Sequence, residues 1–192
     1  MDLQTSVENS LLEHTQVISR ILSELAPSIV VVGNVLATVL AGGGTVFWCG
    51  NGGSAADSQH MAGELIGRFV GDRQPLRSVA LTTDSSVLTC IANDYDYGNV
   101  FARQVEALVG QGDVLMVLST SGNSENVVRA LEVARGRGAV TVALLGKGGG
   151  IAGEAADHAI VVDSDSTARI QEAHIVIGHI VCELIEKELG LA

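Results

Sequence analysis

Five short apolar runs, at residues 45–49, 78–81, 114–118, 140–145 and 159–162, recur along this chain with helix-like stretches between them. That alternation limits the fold more than any other feature. Most of the runs are β-branched and almost continuously apolar, as parallel strands buried on both faces are. Between them, apolar residues recur at helical spacing over residues 54–69, 85–92, 99–108 and 123–136, and a long last helix is expected at 167–189. Strand and helix in alternation predict an α/β fold: a three-layer α/β/α sandwich with a central parallel five-stranded sheet, doubly wound.

Before the first strand, Val7, Leu11, Ile18, Leu22 and Leu25 form an amphipathic stripe over residues 2–25, which Pro27 is expected to end. A second helix is expected at 28–40, stopped by Gly42, Gly43 and Gly44. The stripe could cover its own domain or another subunit. No repeat, linker or low-complexity tract divides the chain, so residues 1–192 are expected to form one domain, with a helical segment at 1–41 and an α/β/α core at 42–192. Gly148, Gly149 and Gly150 read as a loop or helix start and not as a hinge.

A net charge of -11 argues against a nucleic-acid partner, which would demand a basic face. No run of about 18 apolar residues stands out as a membrane span, and the first residues lack the pattern of a signal peptide, so a cytoplasmic protein is expected. Cys49, Cys90 and Cys182 have no metal-site spacing and read as small buried free thiols.

Two segments carry the chemistry. The first runs from Asn51, Gly52 and Gly53 through Asp57 and His60 to Glu64; the second holds Ser119, Thr120, Ser121, Gly122, Asn123 and Ser124. Each follows a strand and opens a helix, so both belong at the carboxyl edge of the sheet, where backbone N–H groups and hydroxyls can surround a phosphate. Together they point to a sugar-phosphate site. The second segment also reads as a plain helix cap, since Ser and Asn are preferred there. No Lys stands in the position that a nucleotide triphosphate loop requires. His60 and Glu64 are four residues apart and share a helix face, a spacing that suits a metal or an acid–base pair and also occurs on solvated faces. On the last helix, Ile170, Ala173, Ile177, Val181, Leu184 and Ile185 form an apolar stripe that includes His174 and leaves His179 free. Gln171 lies eight residues before His179, about 12 Å along a straight helix.

With these motifs in place, the chain resembles the phosphoheptose isomerases, sedoheptulose 7-phosphate isomerases of the sugar isomerase (SIS) domain superfamily. The likeness runs over nearly the whole length: the N-terminal helices, the segment from Gly50 to Glu64, Asn93, Asp94 and Tyr95, the serine loop, and the ending with Thr167, Arg169, Ile170, Gln171, Glu172 and His179. It implies a flavodoxin-like doubly wound SIS domain in a homotetramer, with active sites between subunits. It also implies one zinc per subunit, held by His60, Glu64, Gln171 and His179. Substrate contacts are implied for Asn51, Gly52, Gly53, Glu64, Asn93, Asp94, Ser119, Thr120, Ser121, Ser124 and Gln171. Glu64 and His179 are the implied acid–base residues, with Asp57 beside them.

The implied reaction turns sedoheptulose 7-phosphate into D-glycero-D-manno-heptose 7-phosphate, the first step toward nucleotide-activated heptose. It needs a base, an oxygen-polarising group and a phosphate anchor, and the chain has residues for each. Two other readings remain: a non-catalytic SIS tetramer that serves as a binding platform for a replication-initiator protein, and an isomerase of another sugar phosphate. Glu64, His179 and the full serine loop favour the enzyme.

Overall fold

The computed structural model of the protein describes residues 2–191. Its centre is a five-stranded, all-parallel sheet in the order β2-β1-β3-β4-β5. The strands are β1 (Val46–Gly50), β2 (Ser78–Ala80), β3 (Val114–Ser119), β4 (Val140–Gly146) and β5 (His158–Val162), each within one or two residues of its apolar run. Because side chains alternate across a strand, neighbours in sequence enter different cores. Val46 and Trp48 of β1, Met116 and Leu118 of β3, and Leu144 of β4 join one apolar cluster. Phe47 and Cys49, Leu115 and Val117, and Ala143 and Leu145 join the other.

On the first face lie α2 (Ala26–Ala41), α3 (Gly53–Ile66) and α8 (Thr167–Glu188). On the second lie α4 (Ser85–Asp94), α5 (Ala102–Leu108), α6 (Glu125–Gly136) and α7 (Gly150–Ala155). The three layers follow directly. Right-handed crossovers send α3 to one face and α6 to the other, because the chain moves outward from β1 in one direction and from β3 in the opposite one. The strand order therefore reverses between β1 and β3, which is where doubly wound sheets open a ligand crevice.

The N-terminal segment departs from the expectation. Helix α1 (Leu3–Arg20) does not end at Pro27; it passes through one wide π turn at Ile21–Leu25 and continues as α2, with Pro27 in the first turn. The physical reason is local. Pro27 has no N–H for the carbonyl four residues back, and a π turn shifts the pairing by one residue, so the break is absorbed instead of ending the helix. The joined helix, Leu3–Ala41, is long and apolar enough by length and composition to cross a membrane, contrary to the expectation that no such stretch exists. In this fold its second half is a core helix: Val32, Leu36 and Leu40 are buried, and Gly33 meets Leu184 of α8. Its first half is not, since Val7, Leu11 and Leu22 stay exposed while Val17 and Ile21 are buried. Charged contacts tie α1 to α8: His14 Nδ1 lies 2.7 Å from Glu172 Oε2, and Arg169 donates to the Ser10 carbonyl.

Along α8 the apolar stripe packs as its spacing predicts, and His174 is buried within it. Its Nε2 meets the Leu145 carbonyl at 3.1 Å, and burial pushes its pKa down to about 4. Gly149 precedes the short helix α7, so the glycine triplet is a helix start. Cys49 and Cys182 are buried as expected, but Cys90 is exposed on the outer face of α4, where its Sγ lies 3.4 Å from Asp94 Oδ2. A helix with one buried side chain of its own leaves most of its residues to solvent, and Cys90 is among them.

Candidate active site

The loops after β1 and β3 meet at the reversal of strand order. Gly50 and Leu118 are register partners at the ends of the two strands. Gly52 then takes φ 57°, a left-handed conformation that a side chain would strain, and turns the chain into α3. Gly53 has a different reason. A Cβ there would lie 2.6 Å from Gln171 Nε2 and 2.8 Å from its Oε1, so a bare backbone lets the start of α3 approach α8.

Asn51 ties the two loops together. Its Nδ2 donates to Asn126 Oδ1 at 2.9 Å, Asn126 Nδ2 donates to Asn51 Oδ1 at 2.9 Å, and the Tyr97 hydroxyl donates to the same oxygen at 3.1 Å. Neither Asn126 nor Tyr97 is apparent from the sequence as a site residue. Asn126 sits inside the first turn of α6, and its nearly complete burial is the observation that singles it out.

In the serine loop, Ser119 is buried and its Oγ accepts from Gly122 N at 3.1 Å, while Ser121 Oγ accepts from Asn123 N at 3.2 Å. Ser124 stands at the N-cap of α6, yet its side chain makes no capping bond. The helix-cap reading of this segment therefore does not account for its hydroxyl. A small cavity of about 60 Å³ opens here, lined by Asn51, Ser54, Leu118, Ser119, Thr120, Ser124 and Gln171. Hydroxyls, the amides of Asn51 and Gln171 and the N-terminus of a twelve-residue helix give it donors and a positive dipole end, with no carboxylate among the lining residues.

The second half of the site lies where α3 and α8 run side by side in the same direction. Gly53 meets Gln171, and Gly178 meets Met61, so His60 and Glu64 come to face His179. His60 Nε2 is 3.0 Å from Glu64 Oε1 and 3.2 Å from His179 Nε2. One ligand atom from each of the three falls within 4.8 Å of the others. An ion with bonds of about 2.0–2.1 Å holds tetrahedral ligand atoms about 3.3 Å apart, so this donor set fits a metal of the zinc type. The rings of Phe69 and His179 stack at 5.4 Å between centroids and 23° between planes. Asp57 lies on the inner side of α3, where burial raises its pKa and the charges of His60 and His179 partly oppose that rise.

Of the four ligands implied by the resemblance, His60, Glu64 and His179 converge. Gln171 packs on Gly53 and faces the serine-loop cavity, two turns before His179 on a regular helix. Asn93 and Asp94 do not line that cavity. They end α4 at the surface, where Asn93 Nδ2 donates to Asp94 Oδ1 at 2.8 Å and helps hold the Asp94 carboxyl below its usual pKa.

The family model described as the SIS domain matches residues 11–146 of this chain. The phosphoheptose isomerase of a Nitratiruptor species is 50% identical over 181 residues, covering 94% of this chain and 97% of that protein. That of Geobacter metallireducens is 49% identical over 187 residues, covering 97% and 99%. Among solved structures, the phosphoheptose isomerase of Neisseria gonorrhoeae superposes with a TM-score of 0.92 at 40% identity, over 97% of this chain and 100% of that one. The enzyme from Francisella tularensis gives 0.94 at 34% identity, over the same shares.

Proposed function

The chain belongs to the SIS-domain family and, within it, to the phosphoheptose isomerases, and from that membership we propose that it converts sedoheptulose 7-phosphate to D-glycero-D-manno-heptose 7-phosphate. The observation that carries the reading is a carboxylate-free serine-loop cavity at the start of α3 with the His60, Glu64 and His179 cluster two to three turns further along the same helix. The phosphate enters the small cavity, which Ser119, Thr120 and Ser124 line at the α6 N-terminus, and Ser121 joins them from the same loop. Asn51, Gly52, Gly53 and Gln171 line the path of the sugar toward α3.

Glu64 takes a proton from carbon 1 of the ketose. The C–H electron pair becomes the carbon–carbon double bond of an enediol, and the carbonyl oxygen on carbon 2 takes up a proton. Glu64 then returns a proton to carbon 2 while the hydroxyl on carbon 1 gives up its own, leaving the aldehyde. His179 handles the oxygen-bound protons, and Asp57 sets the field around both histidines. His60, Glu64 and His179 would hold one zinc per subunit, whereas Gln171, the fourth ligand that the resemblance implies, faces the serine-loop cavity. When bound, zinc supplies Lewis-acid polarisation of the substrate's oxygens.

The exposed stripe of α1 and the surface position of Asn93 and Asp94 support a homotetramer with active sites between subunits, in which these two residues reach the substrate of a neighbouring copy. One SIS domain spans residues 1–192, and the enzyme works in the cytoplasm on a small sugar phosphate. The test is turnover of five-, six- and seven-carbon ketose phosphates, with elemental analysis of the same preparation. Preferred turnover of the seven-carbon substrate by a zinc-containing enzyme is expected. Binding without turnover of any of them would replace the enzyme with the platform reading.

A further inference from the structure

Between α3 and β2 the chain runs irregularly through residues 67–77, and one buried ion pair organises it. Glu186 is wholly buried and Arg73 nearly so. The carboxylate accepts from four donors: Phe69 N at 3.0 Å, Val70 N at 3.0 Å, Gly71 N at 3.1 Å and Arg73 Nε at 2.7 Å. That uses its whole accepting capacity of about four sites. Burial alone would raise the Glu186 pKa, but the three backbone N–H groups and Arg73 outweigh it and hold the group at about 2. The guanidinium directs its remaining bonds to backbone carbonyls: Glu64 O at 2.9 Å, Leu65 O at 2.8 Å and Gln74 O at 3.0 Å.

Two of those carbonyls belong to the last turn of α3, which has no helical N–H to give them, and that same turn carries Glu64. On α8, Glu186 follows His179 by seven residues, nearly two turns, so both project from the same face toward α3 and its following loop. The first residue that Glu186 holds by its backbone is Phe69, whose ring stacks on His179. Apart from the bond between them, the two side chains bond only to backbone: the last turn of α3, which bears Glu64, and the loop that carries Phe69. Replacing a buried ion pair by apolar residues is often neutral for stability, so stability is a weak reason for such an arrangement.

We propose that the Arg73–Glu186 pair is a positioning device for the active site, pinning the turn that bears Glu64 and holding the Phe69 ring against His179. Arg73, Glu186 and Phe69 act through Glu64 and His179, by way of the α3 turn and the stacked ring. The proposal rests on the isomerase reading for its kinetic consequence and on geometry for its effect on metal binding.

The test compares Glu186→Gln and Phe69→Leu with Phe69→Tyr, which keeps a ring, and with Val105→Ala, a core truncation in α5 on the opposite face of the sheet. Assays run well below each variant's melting temperature, on assembled full-length protein, beside titration with zinc alone against a chromophoric chelator. Glu186→Gln and Phe69→Leu should lower kcat about 10- to 100-fold and zinc affinity about tenfold or more, the range for groups that orient metal ligands. KM should stay within about threefold, because the serine loop is untouched. Phe69→Tyr should behave like the parent, and Val105→Ala should lose thermal stability while keeping kcat and zinc affinity. If Glu186→Gln does not fold, Phe69→Leu decides alone. Parental kcat and zinc affinity in Phe69→Leu would overturn the proposal and leave the isomerase reading intact. An inactive parent would overturn the isomerase reading instead, and the zinc titration would then decide: weaker binding in Phe69→Leu than in Val105→Ala supports the device, equal binding removes it.

Discussion

The serine loop after β3 and the meeting of α3 with α8 lie at opposite ends of the first turns of α3, and they are built from opposite materials. The loop offers neutral hydroxyls and two amides around the open end of a helix, beginning at strand ends fixed by register. The helix meeting offers two imidazoles and a carboxylate, two to three turns into α3, held in place from outside by a second charged pair. A neutral, backbone-rich cradle binds an anion at any ordinary pH and moves no proton. A cluster of titratable groups at 3.0–3.2 Å can move protons or hold a metal, and contributes little to grip on a phosphate. Binding and chemistry should therefore fail separately under mutation.

The largest effect should come from His179→Asn, which removes a proton carrier and a metal ligand at once. Turnover should fall about a thousandfold or more. Zinc content should fall with it while sugar phosphate binding survives, as read by assay, elemental analysis and calorimetry. Weakened sugar phosphate binding with parental kcat would invert the division of labour. A smaller and opposite pattern is expected from Ser121→Ala and Ser124→Ala: KM should rise about tenfold for each hydrogen bond lost to the phosphate, with kcat little changed. Catalytic efficiency within about twofold of the parent in the double variant would take the loop out of the site.

The smallest effects concern stability, not activity. His174 is held neutral, with its folded pKa at about 4 against an ordinary 6.5. The unfolded chain gains its proton first, so this contribution is complete above pH 6.5 and is lost as pH falls toward 4. Its slope is at most about 1.4 kcal/mol per pH unit. Glu186, held at about 2 against 4.5, contributes stability that is complete above pH 4.5 and is lost in a lower window, toward pH 2. Denaturant midpoints of the parent and of His174→Leu, compared at pH 7 and pH 5, should show a shallower pH dependence in the variant. Equal dependence would mean that His174 is not the group responsible.

Much of this was legible in the sequence, for identifiable reasons. Strand runs are local and nearly uniform, so all five strands lie where the apolar pattern puts them. His60 and Glu64 share a helix face by spacing, and His174 and His179 separate by angle around α8. What escaped is long-range. The reciprocal amide pair of Asn51 and Asn126 joins residues 75 positions apart. Arg73 and Glu186, 113 apart, look like any solvated charges until the fold buries them. Pro27 misleads for a different reason: a proline removes one hydrogen bond, and a single π turn is a local repair that residue pattern does not encode. Gln171 lies on the helix expected for it, but the parallel run of α3 beside α8 brings it to the serine-loop cavity, two turns from His179.

The division between cradle and cluster stands or falls on Glu64. Glu64→Gln keeps the size and one oxygen of the side chain and removes its basicity, so a single preparation, checked for assembly by light scattering, can be measured both ways. Calorimetric binding of sedoheptulose 7-phosphate should stay within about threefold of the parent while turnover falls about a hundred- to ten-thousand-fold, as loss of a general base does. Near-parental turnover in Glu64→Gln would contradict the account and move the base to another carboxylate, Asp57 first.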